Sequence, residues 1–263
     1  MIAGGGRFPV ILIEAARKCG VKQIVCIGFP GQTAPTLGEH VDRIFWMEIG
    51  QLGKVIKTFK REGVKEAVFA GSISPNLVVR KLKLDLRMLS LAARVRDRKA
   101  ETVLKAIGEE FVKDGIELID STSFLRPLLP DAGVLSKRAP DKRESRDIEF
   151  GWAVAKKVAD IGIGQTIVVK NGAVGAVEAM EGTSKAIARG GDVGGSGSVV
   201  IKVAKPGHDM RFDVPVIGPE TIRTMAKSRA TAIVVEAGKT LLLDREEALQ
   251  EAAASGIAVV ARA

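Results

Sequence analysis

Residues 205–219, KPGHDMRFDVPVIGP, set Lys205, Asp209, Arg211 and Asp213 close together in one segment. Lysine neutralises phosphate as a point charge, arginine binds it through two parallel donors, and an aspartate holds Mg²⁺ or orients water. The combination suits chemistry on a phosphoryl group, and Lys202, just upstream, adds another cation. Asp209 and Asp213 are both candidates for the metal or the water, with Arg211 between them. Proline removes a backbone donor and fixes φ, so this stretch cannot be the interior of a helix or of a central strand. It reads as a loop leaving the apolar strand at 198–204, its wandering limited by Pro206, Pro215 and Gly218.

A second constellation, Glu178, Glu181, Gly182 and Thr183, falls where a strand turns into a helix. Thr183 there either caps the helix or belongs to a site in which a glutamate, taken as Glu181, reaches a metal while the helix start faces an anion. A third is glycine-rich: Gly4, Gly5 and Gly6 after a first strand, Gly50 and Gln51 after a later one, and Gly71 and Ser72 after another. Such turns sit at the edge where parallel sheets bind nucleotides, because backbone N–H groups and a helix N-terminus there can hold phosphate. Pro9 occupies the third glycine position of the dinucleotide fingerprint, and no acid closes the next strand at 28–30. Both departures argue against NAD and leave a mononucleotide site or a purely structural turn.

The elements that must carry these residues alternate. Strands are predicted at 1–3, 23–29, 43–49, 66–74 and 116–122, with helices at 9–18, 52–63, 85–96 and 100–113. Strands separated by helices imply a parallel sheet and a Rossmann-like N-terminal domain. The composition shifts over 128–145, giving domains at 1–133 and 134–263, the second a mixed α/β domain. It holds a helix at 143–159, a hairpin at Asn171–Gly172, and a short helix at 184–189 followed by GGDVGGSG, read as a mobile loop over 190–197. A helix at 219–228, a second hairpin joining 231–238 to 239–244, another helix and a terminal strand complete it.

With 263 residues and 46% hydrophobic content the chain has a substantial core, and no stretch is long and apolar enough to span a bilayer. The N-terminus has no leader pattern, so a cytoplasmic location is expected. Cys19 and Cys26 are not in a metal or redox spacing and read as core thiols. The net charge of +9 is concentrated in residues 80–99, where eight Lys/Arg stand against two Asp among several leucines. This is either a solvated helix face or a surface for an anionic substrate or acidic leaflet. Nucleic acid is not expected, since nine Phe, two Trp and no Tyr offer few stacking platforms.

Taken in order, IAGGGRFP, GQLGKVIKTFKREGVKEAVFAG, DIEFGWAVA, IGQTIVV, AVEAMEGT and KVAKPGHDMRFDVPVIGP resemble the LpxI-type UDP-2,3-diacylglucosamine pyrophosphatases over nearly the whole chain. The resemblance implies Mg²⁺-dependent hydrolysis of the diphosphate of UDP-2,3-diacylglucosamine to UMP and 2,3-diacylglucosamine 1-phosphate, a cytoplasmic-side step of lipid A synthesis in some Gram-negative bacteria. It implies a nucleotide domain holding uridine through the glycine turns, a family-specific catalytic domain, and substrate bound between them; the cationic, leucine-rich segment 80–99 suits peripheral contact with the anionic inner membrane. It carries over Asp213 as the indispensable carboxylate, with Asp209 second. Ser184 stands where the resembled pattern leads one to expect aspartate, His208 where it leads one to expect glutamine, and the strand before Gly4 is short. A carrier or sensor of a nucleotide-linked lipid would use the same residues without turnover. The oligomeric state is open.

Overall fold

The computed structural model describes residues 1–73, 83–96, 100–207, 209–212 and 214–263. Asp213 and His208, with residues 74–82 and 97–99, lie outside the described residues. The chain forms two compact units: Met1–Leu125 with Asp209–Phe212, and Arg126–His208 with Asp213–Ala263.

In the first unit, β1 (Ile2–Ala3), β2 (Val25–Gly28), β3 (Arg43–Trp46) and β5 (Phe69–Ala70) form a fully parallel sheet in the order β3-β2-β1-β5. The predicted strand at 66–74 is split, since β4 (Glu66–Ala67) pairs instead with β6 (Glu117–Leu118), to which the strand predicted at 116–122 is reduced. Four α-helices among the described residues accompany the sheet: α1 (Phe8–Lys18), α2 (Leu52–Arg61), α3 (Leu86–Arg94) and α4 (Ala100–Lys113). Pro9 sits in the first turn of α1, where its missing N–H costs nothing. Ile27, Ile56, Phe59, Leu91, Phe111 and Ile116 are almost completely buried together in the core.

The second unit is a three-layer arrangement. Its sheet runs β7 (Gly133–Val134), β14 (Ala258–Arg262), β12 (Ala232–Glu236), β10 (Val199–Lys202), β8 (Thr166–Lys170), β9 (Ala173–Val177). The central β14, β12 and β10 are parallel and the flanking strands antiparallel. Alternate residues of the central strands enter two different clusters. Val200, Ile233, Val235 and Val259 pack with α6 (Thr183–Gly194), α7 (Pro219–Lys227) and α8 (Arg245–Ala254), whereas Ile201, Val234 and Ala258 pack with α5 (Lys142–Asp160). Burial on both faces explains why these strands read as continuous apolar runs. An Asp141–Glu144 capping box starts α5.

The α/β class, with a parallel-sheet N-terminal part and a mixed C-terminal part, is borne out. Asn171 and Gly172 both have positive φ, 50° and 73°, as the hairpin between β8 and β9 requires.

Three local expectations are corrected. The stretch 190–197 is not a mobile loop through its length, because α6 continues to Gly194. Its glycines are a packing device: a Cβ on Gly190 would lie 2.5 Å from Val168 and one on Gly191 2.6 Å from Ser228. The second hairpin does not form either. Leu241–Leu242 (β13) pairs in parallel with Val216–Ile217 (β11) rather than with β12, and the Leu241 amide donates to Pro215 O at 2.8 Å. The segment after β10 therefore ends in a strand. Cys26 is buried as expected, but Cys19 is exposed at the end of α1.

Candidate active site

The glycines of the first unit meet one another. Gly4 N donates to Ala70 O and Gly5 N to Ser72 O, both at 2.7 Å, and Ser72 N returns a bond to Gly5 O at 3.2 Å. A Cβ on Gly71 would lie 2.5 Å from Gly5 O, and one on Gly4 would collide with Ser72 O. Close approach of two backbones thus accounts for Gly4 and Gly71, and the first two amides of the triplet already have carbonyl acceptors. Gly6, with φ of 85° and open space around it, precedes Arg7, the residue before α1.

Gly50 and Gln51 face a different neighbour. Gly50 O accepts from Asp85 N at 3.2 Å, and Gln51 Oε1 from Glu48 N at 3.2 Å. The Asp85 carboxylate receives Gly53 N at 2.7 Å and Lys54 N at 3.3 Å while also capping α3 through Met88 N at 2.9 Å. One aspartate thereby fills the N-terminus of α2 with the charge an anion would bring. The basic segment is likewise partly spoken for. Glu110 on α4, 5% exposed, accepts from Arg87 at 2.7 Å and from Arg94 and Lys113 at 2.6 Å, and Arg87 also pairs with Asp114 at 2.5 Å. Hydrogen bonds from Lys113, Arg94 and Arg87 hold the Glu110 carboxyl down at about 2. Leu86 and Leu89 of α3 remain exposed.

Asp209 and Arg211 belong to the first unit, in a turn of their own making. Arg211 Nε reaches one Asp209 oxygen at 2.9 Å, its terminal nitrogen reaches the other at 2.6 Å, and the Arg211 amide adds a bond at 3.1 Å. Met210 O accepts from Ser121 N at 3.3 Å, and the Phe212 ring lies 6.2 Å from Phe69. The arginine fork expected on phosphate is engaged with Asp209, and its pKa is raised by that bond.

The second unit brings together three of the residues singled out from sequence. β9 and β10 end, and β8 begins, at one edge of the sheet. There Lys202 Nζ, buried, donates to Thr183 Oγ1 at 2.7 Å, and the same hydroxyl donates to Glu178 Oε1 at 2.8 Å. Thr166 Oγ1 is 3.5 Å from that hydroxyl. Glu178 Oε2 is shielded from solvent and has no hydrogen-bond partner. Gly182, with φ of 84°, is the residue before α6. Thr183 opens the helix, but its hydroxyl serves the Lys202–Glu178 link, and no side-chain cap bond forms. Lys205 follows β10 and is half-buried.

Sequence reasoning passed over one residue at this edge. Glu236, the last residue of β12 and 6% exposed, accepts Ala204 N and Lys156 Nζ, both at 2.9 Å, and Lys239 Nζ at 2.7 Å. Burial alone would raise its pKa, but Lys239, Lys156 and the Ala204 amide lower it. A charged residue ending the apolar run AIVVE was the available signal.

The donor set can be tested against Mg²⁺, which takes hard oxygens and is usually held by one or two carboxylates plus substrate phosphates. Glu181 fits poorly, since its oxygens accept from Arg189 at 2.5 Å and the Ala179 amide at 3.1 Å. Glu178 fits better, through an oxygen with no donor to satisfy it. No cluster of three or more His, Cys, Asp or Glu occurs among the described residues.

Residues 1–128 match the LpxI N-terminal domain family and residues 131–260 the LpxI C-terminal domain family. The chain belongs to the LpxI family. It is 32% identical, over 99% of its own length and 95% of the relative's, to the UDP-2,3-diacylglucosamine pyrophosphatase LpxI of Caulobacter vibrioides. No helix among the described residues is long and apolar enough to cross a membrane.

Proposed function

We propose that this LpxI-family chain hydrolyses the diphosphate of UDP-2,3-diacylglucosamine to UMP and 2,3-diacylglucosamine 1-phosphate. The observation that carries the reading is the part-buried Lys202–Thr183–Glu178 link at a sheet edge of a chain whose family match covers both domains. Hydrolysis joins a water oxygen to phosphorus, breaks one P–O bond of the bridge and leaves a phosphate monoester on each product. Lys202 and Lys205 neutralise the phosphoryl oxygens, and Arg211 does so after exchanging its Asp209 partner. Asp213, outside the described residues, is the carboxylate that orients or deprotonates the water, with Asp209 as second choice. Glu178 and Asp213 would hold Mg²⁺, which supplies neutralisation of charge on the diphosphate when bound. Gly6 and Ser72 border the uridine site of the first unit. The exposed Leu86 and Leu89 among cations meet the inner-membrane surface from the cytoplasmic side, where the lipid substrate resides.

The test is to incubate purified protein with UDP-2,3-diacylglucosamine and Mg²⁺, with and without chelator, and follow UMP. Turnover that chelator abolishes is expected, together with a fall of about 10²- to 10⁴-fold in Asp213→Ala, the range for loss of a general base. Binding without any UMP would leave only a carrier, and a wild-type rate in Asp213→Ala would overturn the assignment of that residue.

A further inference from the structure

Where the chain leaves β10, its direction is fixed by a group outside the residues proposed to touch phosphate. Ala204 N donates to Glu236 Oε2 at 2.9 Å across the adjacent parallel strand, and Ala204 O accepts from Lys156 Nζ at 3.2 Å. Lys156, on α5, closes the triangle with its own 2.9 Å bond to the same Glu236 oxygen. Lys239 holds the other oxygen at 2.7 Å. Both backbone groups of Ala204 are thus clamped by one ion pair. A buried carboxylate is costly and is retained only when its partners are matched. Here they are matched around the one residue that separates the buried Val203, just past the end of β10, from Lys205.

We infer that Glu236 is a positioning residue for the phosphate-handling segment, acting with Lys156 by fixing the Ala204 peptide groups and so the point from which Lys205 and the residues after it depart. The inference rests on the hydrolytic reading above for its kinetic consequence, but not for its structural one. A displacement of about 1 Å at a reacting centre costs as much as 100-fold in rate. What matters in this clamp is the acceptor for the Ala204 amide, which glutamine can keep and leucine cannot.

Two substitutions in the full chain separate these cases. Glu236→Leu is expected to speed exchange of the Ala204 amide, followed by NMR, by tenfold or more, and to lower kcat by about 10- to 100-fold with KM changed less than about threefold. Glu236→Gln loses the same ion pair and a comparable share of thermal stability, yet keeps Ala204 protected and kcat within about fivefold of wild type. If Glu236→Leu folds poorly, Lys156→Met combined with Glu236→Leu, which leaves no unmatched charge at Lys156, should give the leucine pattern. Wild-type kcat in the leucine variant, or equal loss in both single variants, would overturn the proposal. Absence of turnover in the wild type would overturn the hydrolytic reading alone, and unchanged Ala204 exchange in Glu236→Leu would still overturn the clamp.

Discussion

At the scale of single residues, the hydroxyl of Thr183 is the hinge of the candidate site in the second unit. It accepts from Lys202 and donates to Glu178, so a lysine and a glutamate are linked through a group that can do both. Thr183→Val keeps the shape and removes that exchange, leaving the buried Lys202 without one acceptor. The expected outcome is a loss of about 1–3 kcal/mol in urea unfolding, the usual consequence of stranding a buried polar group. On the hydrolytic reading kcat/KM falls as well. Thr183→Ser, which retains the hydroxyl, should recover most of both. A valine variant as stable and active as wild type would show that Lys202 reaches Glu178 without help.

At the scale of elements, much of the pattern was legible and the exceptions share a cause. The capped and proline-marked helices, the Asn171–Gly172 turn and the alternation of strand with helix follow from local chemistry, and they formed near the expected positions. The glycine-rich stretch 190–197 was misread because flexibility is only one use of glycine; close packing of α6 on β8 is a tertiary demand that leaves no local mark. For the same reason β13 pairs with the distant β11 although a turn links it to β12. In the second unit, Lys202, Thr183 and Glu178 were found from their chemical types, whereas Glu236 there and Asp85 in the first unit were missed because each serves an element remote in sequence. The packing explanation has a sign that can be checked. Alanine normally stabilises a helix interior over glycine by up to about 1 kcal/mol. Gly190→Ala should instead destabilise by about 1–3 kcal/mol, because its Cβ overpacks Val168. Gly194→Ala, whose Cβ would find its nearest neighbour at 3.4 Å, should lie near zero in the same thermal or urea measurement. Equal effects at the two positions would remove the packing explanation.

At the scale of the whole molecule, each unit contains a glutamate whose charge is tied to its fold. Glu110 joins α3 to α4 in the first. In the second, Glu144 accepts Arg138 through both oxygens, at 2.8 and 2.9 Å, fastening 138 to the start of α5. Burial alone would raise the Glu144 carboxyl, but Arg138 and the Asp141 amide bring it to about 2, similar to Glu110. An unfolded glutamate titrates at about 4.3, so between these values the unfolded chain binds more protons than the folded one. The stabilisation is therefore complete above roughly pH 5 and is lost progressively as pH falls toward 2. The net charge of +9 at neutral pH works in the same direction, since protonating carboxylates adds to an existing positive excess. Thermal midpoints measured from pH 7 to pH 3 should hold level and then fall. Glu110→Gln and Glu144→Gln should each start lower, by roughly 5 °C or more given the usual link between stability and midpoint, and decline less steeply on acidification. Mutants that keep the full wild-type acid slope would show that other carboxylates set it, leaving the two ion-pair clusters as packing without a part in the acid response.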